Sequence, residues 1–93
     1  MPRELNRQKL QDGGAIVVYD WMEVPGGDNL VRLDKRGTVV WRPLPPAPTT
    51  FKKDFWTSFL EISDYTLRAY SWSGSLCTLD MRSGKILSQE FVK

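Results

Sequence analysis

The sequence predicts an all-β fold, a single antiparallel meander of about seven strands built from two related units. Short β-branched and apolar runs alternate with turn residues, and no segment keeps a helical period. One phrase also occurs twice: Leu33 and Asp34 return as Leu79 and Asp80, 46 positions later, each time ahead of a glycine. A repeat of this length indicates one supersecondary unit used twice.

The elements of the first half follow from turn chemistry and strand propensity. Residues 1–12 are mostly polar, so we expect a loose arm or a single helical turn. Gly13-Gly14 interrupts the chain before the first β-branched run, and residues 25–29 form a glycine-containing turn. The predicted strands of the first unit, residues 14–44, run from Ala15 toward Val24, from Leu30 to Asp34 and from Thr38 to Arg42.

A proline-rich connector, residues 43–53, separates the units. It has four prolines in its first six residues, and proline cannot donate to a sheet ladder. The second unit, residues 54–91, contains a Ser73-Gly74 hairpin turn. Its predicted strands run from Phe55 to Ile62, from Leu67 to Trp72, from Leu76 to Asp80 and from Lys85 to Phe91. Two packed sheets or a partly closed barrel would satisfy this order.

The repeated phrase predicts a tight hairpin. An aspartate can accept hydrogen bonds from the turn, and a final glycine can take the left-handed conformation. If Asp34 pairs with Thr38, then Leu33 lies opposite Val39. This register predicts Arg32 opposite Val40 and Val31 opposite Trp41, with an apolar face of Val31, Leu33, Val39 and Trp41. In the second copy it pairs Asp80 with Lys85, Leu79 with Ile86 and Cys77 with Ser88.

The phrase also resembles the blade repeat of pyrroloquinoline-quinone-type β-propellers. Leu33-Asp34, a polar turn, Gly37, two apolar residues and Trp41 match that pattern, and the second copy matches except that Ser88 replaces the tryptophan. The resemblance implies two blade-like units. A closed propeller needs at least about four blades, so quinone binding and dehydrogenase activity do not carry over, although an oligomer would complete a ring.

The composition excludes several classes of function. The 93-residue chain has no histidine and one cysteine, Cys77, so it has neither the commonest general base nor an internal disulfide. We predict no catalytic residue, no metal site and no cofactor. A net charge of +2 gives no reason to expect nucleic acid. No run approaches the roughly 18 apolar residues of a membrane span, and we expect a cytoplasmic protein.

The candidate binding residues are aromatic and basic. Trp41 belongs to the predicted core, whereas Trp21 and Trp72 are expected to be exposed. Arg32, Arg42 and Arg68 are expected to share an outward sheet face, with Lys52 and Lys53 in the connector.

The predicted function is a non-catalytic binding or assembly module that contacts a protein partner or a second copy. Its small core favours self-association. One alternative is a carbohydrate-binding module that uses the exposed tryptophans. Another is a small hydrolase with a carboxylate pair, for which the candidates are Asp20, Glu23, Asp54, Glu61 and Asp64.

Overall fold

A computed structural model describes residues 2–24, 26–46 and 54–91. These residues form eight strands and no helix. Each half of the chain makes a four-stranded antiparallel sheet whose strands are neighbours in chain order. The first sheet contains β1 (Glu4–Lys9), β2 (Ala15–Tyr19), β3 (Leu30–Leu33) and β4 (Val39–Trp41). The second contains β5 (Trp56–Leu60), β6 (Thr66–Ser71), β7 (Ser75–Asp80) and β8 (Ile86–Phe91).

The all-β prediction is confirmed, and the two sheets pack as a sandwich rather than closing into a barrel. The strand count is eight instead of seven because residues 4–9, expected in a loose arm, pair with β2. All six residues of β1 are exposed. An edge strand without a buried face needs only backbone pairing, so it shows no apolar alternation that a sequence pattern could detect. The predicted connector is described only as far as residue 46, and its Lys52 and Lys53 lie outside the described residues.

Both copies of the repeated phrase form the predicted hairpin. The Asp34 amide donates to the Thr38 carbonyl at 2.9 Å, and the Asp80 amide donates to the Lys85 carbonyl at 2.8 Å. Leu33 lies opposite Val39 and Leu79 opposite Ile86, as predicted. The glycines that end the two turns have positive φ values of 83° and 76°.

Beyond that first pair, the predicted register is wrong. A β-bulge follows at the same place in both copies, so Arg32 lies opposite Trp41 and Thr78 opposite Ser88. The extra residue turns Trp41 onto the other face of its sheet, away from Val31. Val39 is 43% exposed. The expected apolar face of Val31, Leu33, Val39 and Trp41 therefore does not exist.

The main core lies between the sheets. It combines residues of the first sheet with residues of the second: Ile16, Val18, Leu30, Trp41, Trp56, Leu67, Ala69, Cys77, Leu79 and Met81. A separate buried cluster occupies the opposite face of the first sheet, and it contains Ala15, Val17, Tyr19, Val31 and Leu33, with Val24 against it. Strand β2 is thus buried on both faces, which explains its continuous apolar sequence.

The hairpin of the first sheet docks onto the turn of the second. The indole Nε1 of Trp41 donates to the Met81 carbonyl at 2.8 Å, and Nη1 of Arg32 donates to the same oxygen at 2.6 Å. Trp41 also packs against Gly84, where a Cβ would lie 2.7 Å from the indole. The glycine therefore serves both the turn and the close approach of the two sheets.

Candidate binding site

Three aromatic rings meet at the end of the sandwich where β2 ends and β7 begins. The Trp21 and Phe55 ring centroids are 4.5 Å apart with an interplanar angle of 18°. The Phe55 and Trp72 centroids are 5.6 Å apart at 16°. Trp21 is 42% exposed and Trp72 is 62% exposed, whereas Phe55 is half-buried. We call these three residues the aromatic stack. The expected exposure of both tryptophans is confirmed, and the structure brings them together through Phe55.

A tight turn after β2 presents Trp21. The Asp20 carboxylate accepts a hydrogen bond from the Met22 amide at 2.9 Å, and the Asp20 carbonyl accepts one from Glu23. The start of the chain closes this turn: the Arg3 carbonyl accepts from the Asp20 amide, and the Arg3 amide donates to Glu23 Oε1 at 2.7 Å. Strand β2 therefore ends at Tyr19 instead of continuing toward Val24.

A buried aspartate holds the other two rings. Oδ1 of Asp54 accepts from the amides of Phe55 and Ser73, and Oδ2 accepts from the Ser73 hydroxyl at 2.6 Å. The Trp72 amide donates to the Phe55 carbonyl at 2.9 Å. These hydrogen bonds join the start of β5 to the β6–β7 turn. The backbone that carries Phe55 and Trp72 is therefore fixed by a hydrogen-bond network.

Asn29 joins the two sheets beneath this end. Its side chain is fully buried, and Nδ2 donates to the carbonyls of Tyr19 at 2.9 Å and Trp56 at 2.7 Å. Its Oδ1 accepts from the Trp56 amide at 2.8 Å. The sequence does not single out this residue, because an asparagine in a glycine-rich segment is typical of a turn. No sequence pattern distinguishes such a residue from an ordinary turn asparagine.

The three predicted arginines do not share a face, so that prediction is wrong. Arg32 lies opposite Ile16 and reaches across the core to Met81. Arg68 is on the second sheet, where it pairs with Glu61 at 3.1 Å and with Glu90 at 2.8 Å. Arg42 follows β4 and is exposed. The error arose because β2 and β3 are buried on both faces and because Arg68 belongs to the other sheet, neither of which the hairpin register shows.

A cleft of about 640 Å³ lies at the opposite end of the sandwich, between β1 and the segment that follows β5. Its charged groups pair largely with protein groups. Arg32 contacts Asp12 at 3.0 Å, and Glu61 contacts Arg68. The Gly14 amide and the Arg32 guanidinium lower the pKa of Asp12. This mutual pairing leaves no specific ligand chemistry to assign to the cleft.

In the described part of the chain, four of the five carboxylates considered for catalysis make hydrogen bonds or ion pairs within the protein, the exception being Asp64. Asp54 belongs to the hydrogen-bond network under the stack, and Glu61 belongs to an ion pair. Burial, together with the charge of Asp54, raises the pKa of the Cys77 thiol to about 11, so the thiol is protonated near neutral pH. In the described ranges, no three acidic, cysteine or histidine side chains cluster as metal ligands would. These ranges also contain no helix that is long and apolar enough to cross a membrane.

Fold and site together define a class: a small all-β domain of two four-stranded antiparallel sheets with an exposed aromatic stack at one end. The chain belongs to the family described as a domain of unknown function, DUF7957, whose model matches residues 2–91. The search of curated proteins gives no match.

Proposed function

We propose that this domain is a non-catalytic protein-binding module and that the aromatic stack is its contact surface. The observation that carries the proposal is the stack itself, with two exposed indoles held on a buried hydrogen-bond frame. Tryptophan dominates binding energy at many interfaces because it buries a large area with little loss of side-chain freedom. A ring that is already held in place loses still less freedom on binding.

The arrangement of the rings supports a protein partner over a sugar. A flat sugar platform presents neighbouring aromatic faces side by side, whereas here Phe55 stacks against both tryptophans at interplanar angles of 16–18° and covers one face of each. What remains for a ligand are the ring edges and the outer indole faces. Such a ridge fits a pocket or groove on another protein better than it forms a flat sugar platform.

Three sequence-based expectations remain part of the proposal. The protein is placed in the cytoplasm, and it acts without a cofactor. The two sheets are interpreted as blade-like units related to pyrroloquinoline-quinone-type propeller repeats. Their identical four-strand meanders, with the repeated hairpin at the same position in each, support that interpretation.

Comparative capture tests the proposal. Wild-type protein, the double variant Trp21→Ala/Trp72→Ala and the control Tyr65→Ala are immobilised and exposed to extract from the source cells. Tyr65 is 80% exposed and precedes β6, at the other end of the second sheet, so its removal controls for the loss of an exposed aromatic side chain away from the stack. Bound proteins are quantified by mass spectrometry, and the best candidate is purified for calorimetry.

We expect a partner that binds wild type and Tyr65→Ala with similar affinity and binds the double variant at least about tenfold more weakly, a loss of about 1.4 kcal/mol. Equal binding to all three proteins would refute the stack as the contact surface. Quenching of tryptophan fluorescence by a glycan panel, absent in the double variant, would favour the carbohydrate alternative.

A further inference from the structure

We propose that the protein partner of the aromatic stack places an arginine side chain on the outer face of Trp21, beside the carboxylates of Asp20 and Glu23. This inference rests on the proposed function and adds the chemistry of the partner to it. It starts from a difference between the two ends of the stack. The turn that carries Trp21 is acidic, and the turn that carries Trp72 is uncharged.

Trp21 lies in one tight turn with two acidic residues. The Glu23 amide donates to the Asp20 carbonyl at 2.9 Å, which closes the turn. Phe55 covers one face of the Trp21 ring, with the ring centroids 4.5 Å apart, and Trp21 is still 42% exposed. A side chain of a partner can therefore pack on the other face of this ring, close to both acidic side chains.

Each of the two carboxylates has an oxygen to offer to a partner. Oδ1 of Asp20 accepts from the Met22 amide at 2.9 Å, and Oε1 of Glu23 accepts from the Arg3 amide at 2.7 Å. Arg3 contributes its backbone here and not its guanidinium. Among the described residues, neither carboxylate forms an ion pair, and no hydrogen bond reaches the second oxygen of either one. The turn thus presents two negative charges beside an open indole face.

The β6–β7 turn that carries Trp72 has a different character. The other residues of this turn are Ser73 and Gly74. The ring of Phe91, which is 71% exposed, lies against the turn, since a Cβ on Gly74 would be 3.8 Å from it. The Asp54 carboxylate under this end is buried and accepts from the Ser73 hydroxyl. A partner segment that covers both ends of the stack therefore needs a basic side chain at one end and an apolar side chain at the other.

Arginine suits the Trp21 end better than other side chains do. Its planar guanidinium can stack on an indole face while its N–H groups donate to carboxylates at the edge of that face. A lysine ammonium is a compact charge that binds its water more strongly. A neutral or acidic side chain would leave the carboxylates of Asp20 and Glu23 without a partner in the interface, and covering an unpaired charge is unfavourable.

Selection of peptides tests the chemistry of the partner. Random peptides displayed on phage are selected on the whole chain and on two double variants. Asp20→Asn/Glu23→Gln removes both charges and keeps the oxygens that accept from backbone amides. Glu61→Gln/Asp64→Asn is the matched control, because it has the same spacing and the same loss of charge at the cleft end of the sandwich.

We expect arginine to be enriched, relative to the unselected library, in peptides selected on the wild type and on the control, and not in those selected on Asp20→Asn/Glu23→Gln. The best peptide is then compared with a version that has citrulline in place of arginine, which keeps the shape of the side chain and removes its charge. Wild type should bind the citrulline peptide about fivefold more weakly. Asp20→Asn/Glu23→Gln should bind both peptides equally.

The variant Trp21→Ala/Trp72→Ala separates failure of this inference from failure of the proposed function. Peptides that require both tryptophans but show no enrichment of arginine, or show lysine in its place, would overturn the inference and leave the stack as a contact surface. Peptides that bind this variant as tightly as wild type would overturn both. A selection that yields no binding peptide would also count against both.

Discussion

Replacing Asn29 with alanine is expected to cost more stability than any other single polar substitution at the sheet–sheet junction. The side chain makes three hydrogen bonds of 2.7–2.9 Å to backbone groups of Tyr19 and Trp56, and it is fully buried. Alanine removes all three bonds. Water cannot readily replace them, because the site lies between packed elements of both sheets.

The magnitude follows from the groups left behind. The substitution strands two carbonyl oxygens and one amide, and a buried polar group without a partner costs about 1–3 kcal/mol. Partial relaxation of the junction reduces the sum, so we expect a loss of about 3–5 kcal/mol in the free energy of unfolding. A domain of this size has roughly 5–14 kcal/mol in total, so the variant should be only marginally folded at 25 °C.

The assay is urea denaturation followed by tryptophan fluorescence, which reports on the adjacent buried Trp56. Asn6→Ala is the control, since Asn6 is exposed on β1 and should change stability by no more than about 0.5 kcal/mol. Asn29→Asp separates hydrogen bonding from shape. Its carboxylate can still accept from the Trp56 amide but faces two carbonyl oxygens, so we expect a loss at least as large as that of alanine.

A loss below about 1 kcal/mol for Asn29→Ala would refute the reasoning, because the three bonds would then not join the sheets. A stable Asn29→Asp variant would refute it more specifically. That result would show that the two donated bonds are dispensable.

Three further predictions concern the repeated hairpin and its core. Gly37→Ala should lower the free energy of unfolding by about 1–2 kcal/mol, because the φ of Gly37 is positive although a Cβ there meets open space. Gly84→Ala should lower it by about 1–3 kcal/mol more, because the added Cβ would overlap Trp41. Leu79→Ala should cost about 2–5 kcal/mol, as a fully buried core leucine does. Between about pH 8 and pH 10.5, the free energy of unfolding of the wild type should fall by roughly 2 kcal/mol more than that of Cys77→Ala.

The sign of the Cys77 effect follows from its raised pKa. The thiol titrates near its ordinary value of 9.0 in the unfolded chain and at about 11 in the folded protein. Its contribution to stability is complete below pH 9 and declines as the pH rises toward 11. Urea titrations at several pH values measure this difference, and parallel pH curves for the two proteins would contradict it. Equal losses of stability for Gly37→Ala and Gly84→Ala would contradict the contact between Gly84 and Trp41. A loss of stability below about 1 kcal/mol for Leu79→Ala would contradict the place of Leu79 in the core.

Turn chemistry predicted the hairpins well because it is local. An aspartate, a short polar loop and a glycine are all within a few residues of the bonds they make, and the pairs Leu33–Val39 and Leu79–Ile86 followed directly. The bulge one residue further on could not be predicted. In the first copy it brings Trp41 onto the Met81 carbonyl and against Gly84, and these partners lie forty or more positions away.

The candidate site was predictable only in part. Trp72 was expected at the surface because it adjoins a hairpin tip, and Trp21 was expected there although it lay within a predicted strand. Phe55 was assigned to a strand, and its place between them was not foreseen. The arginines were misplaced because a strand's two-residue period tells which residues share a face but not which face is covered. The central strands of the first sheet, β2 and β3, are covered on both faces.

By itself, the sequence determined the fold class, the two-fold repetition and the positions of the turns that contain Gly37, Gly74 and Gly84, since these depend on backbone preferences of neighbouring residues. Only the tertiary structure decided how the two sheets face each other, and therefore which polar side chain bridges them and which rings meet at one end. The physical reason is the distance along the chain between the residues that make contact. Packing between the sheets depends on contacts among residues far apart in the chain, and the alternation of apolar residues within one strand does not predict those contacts.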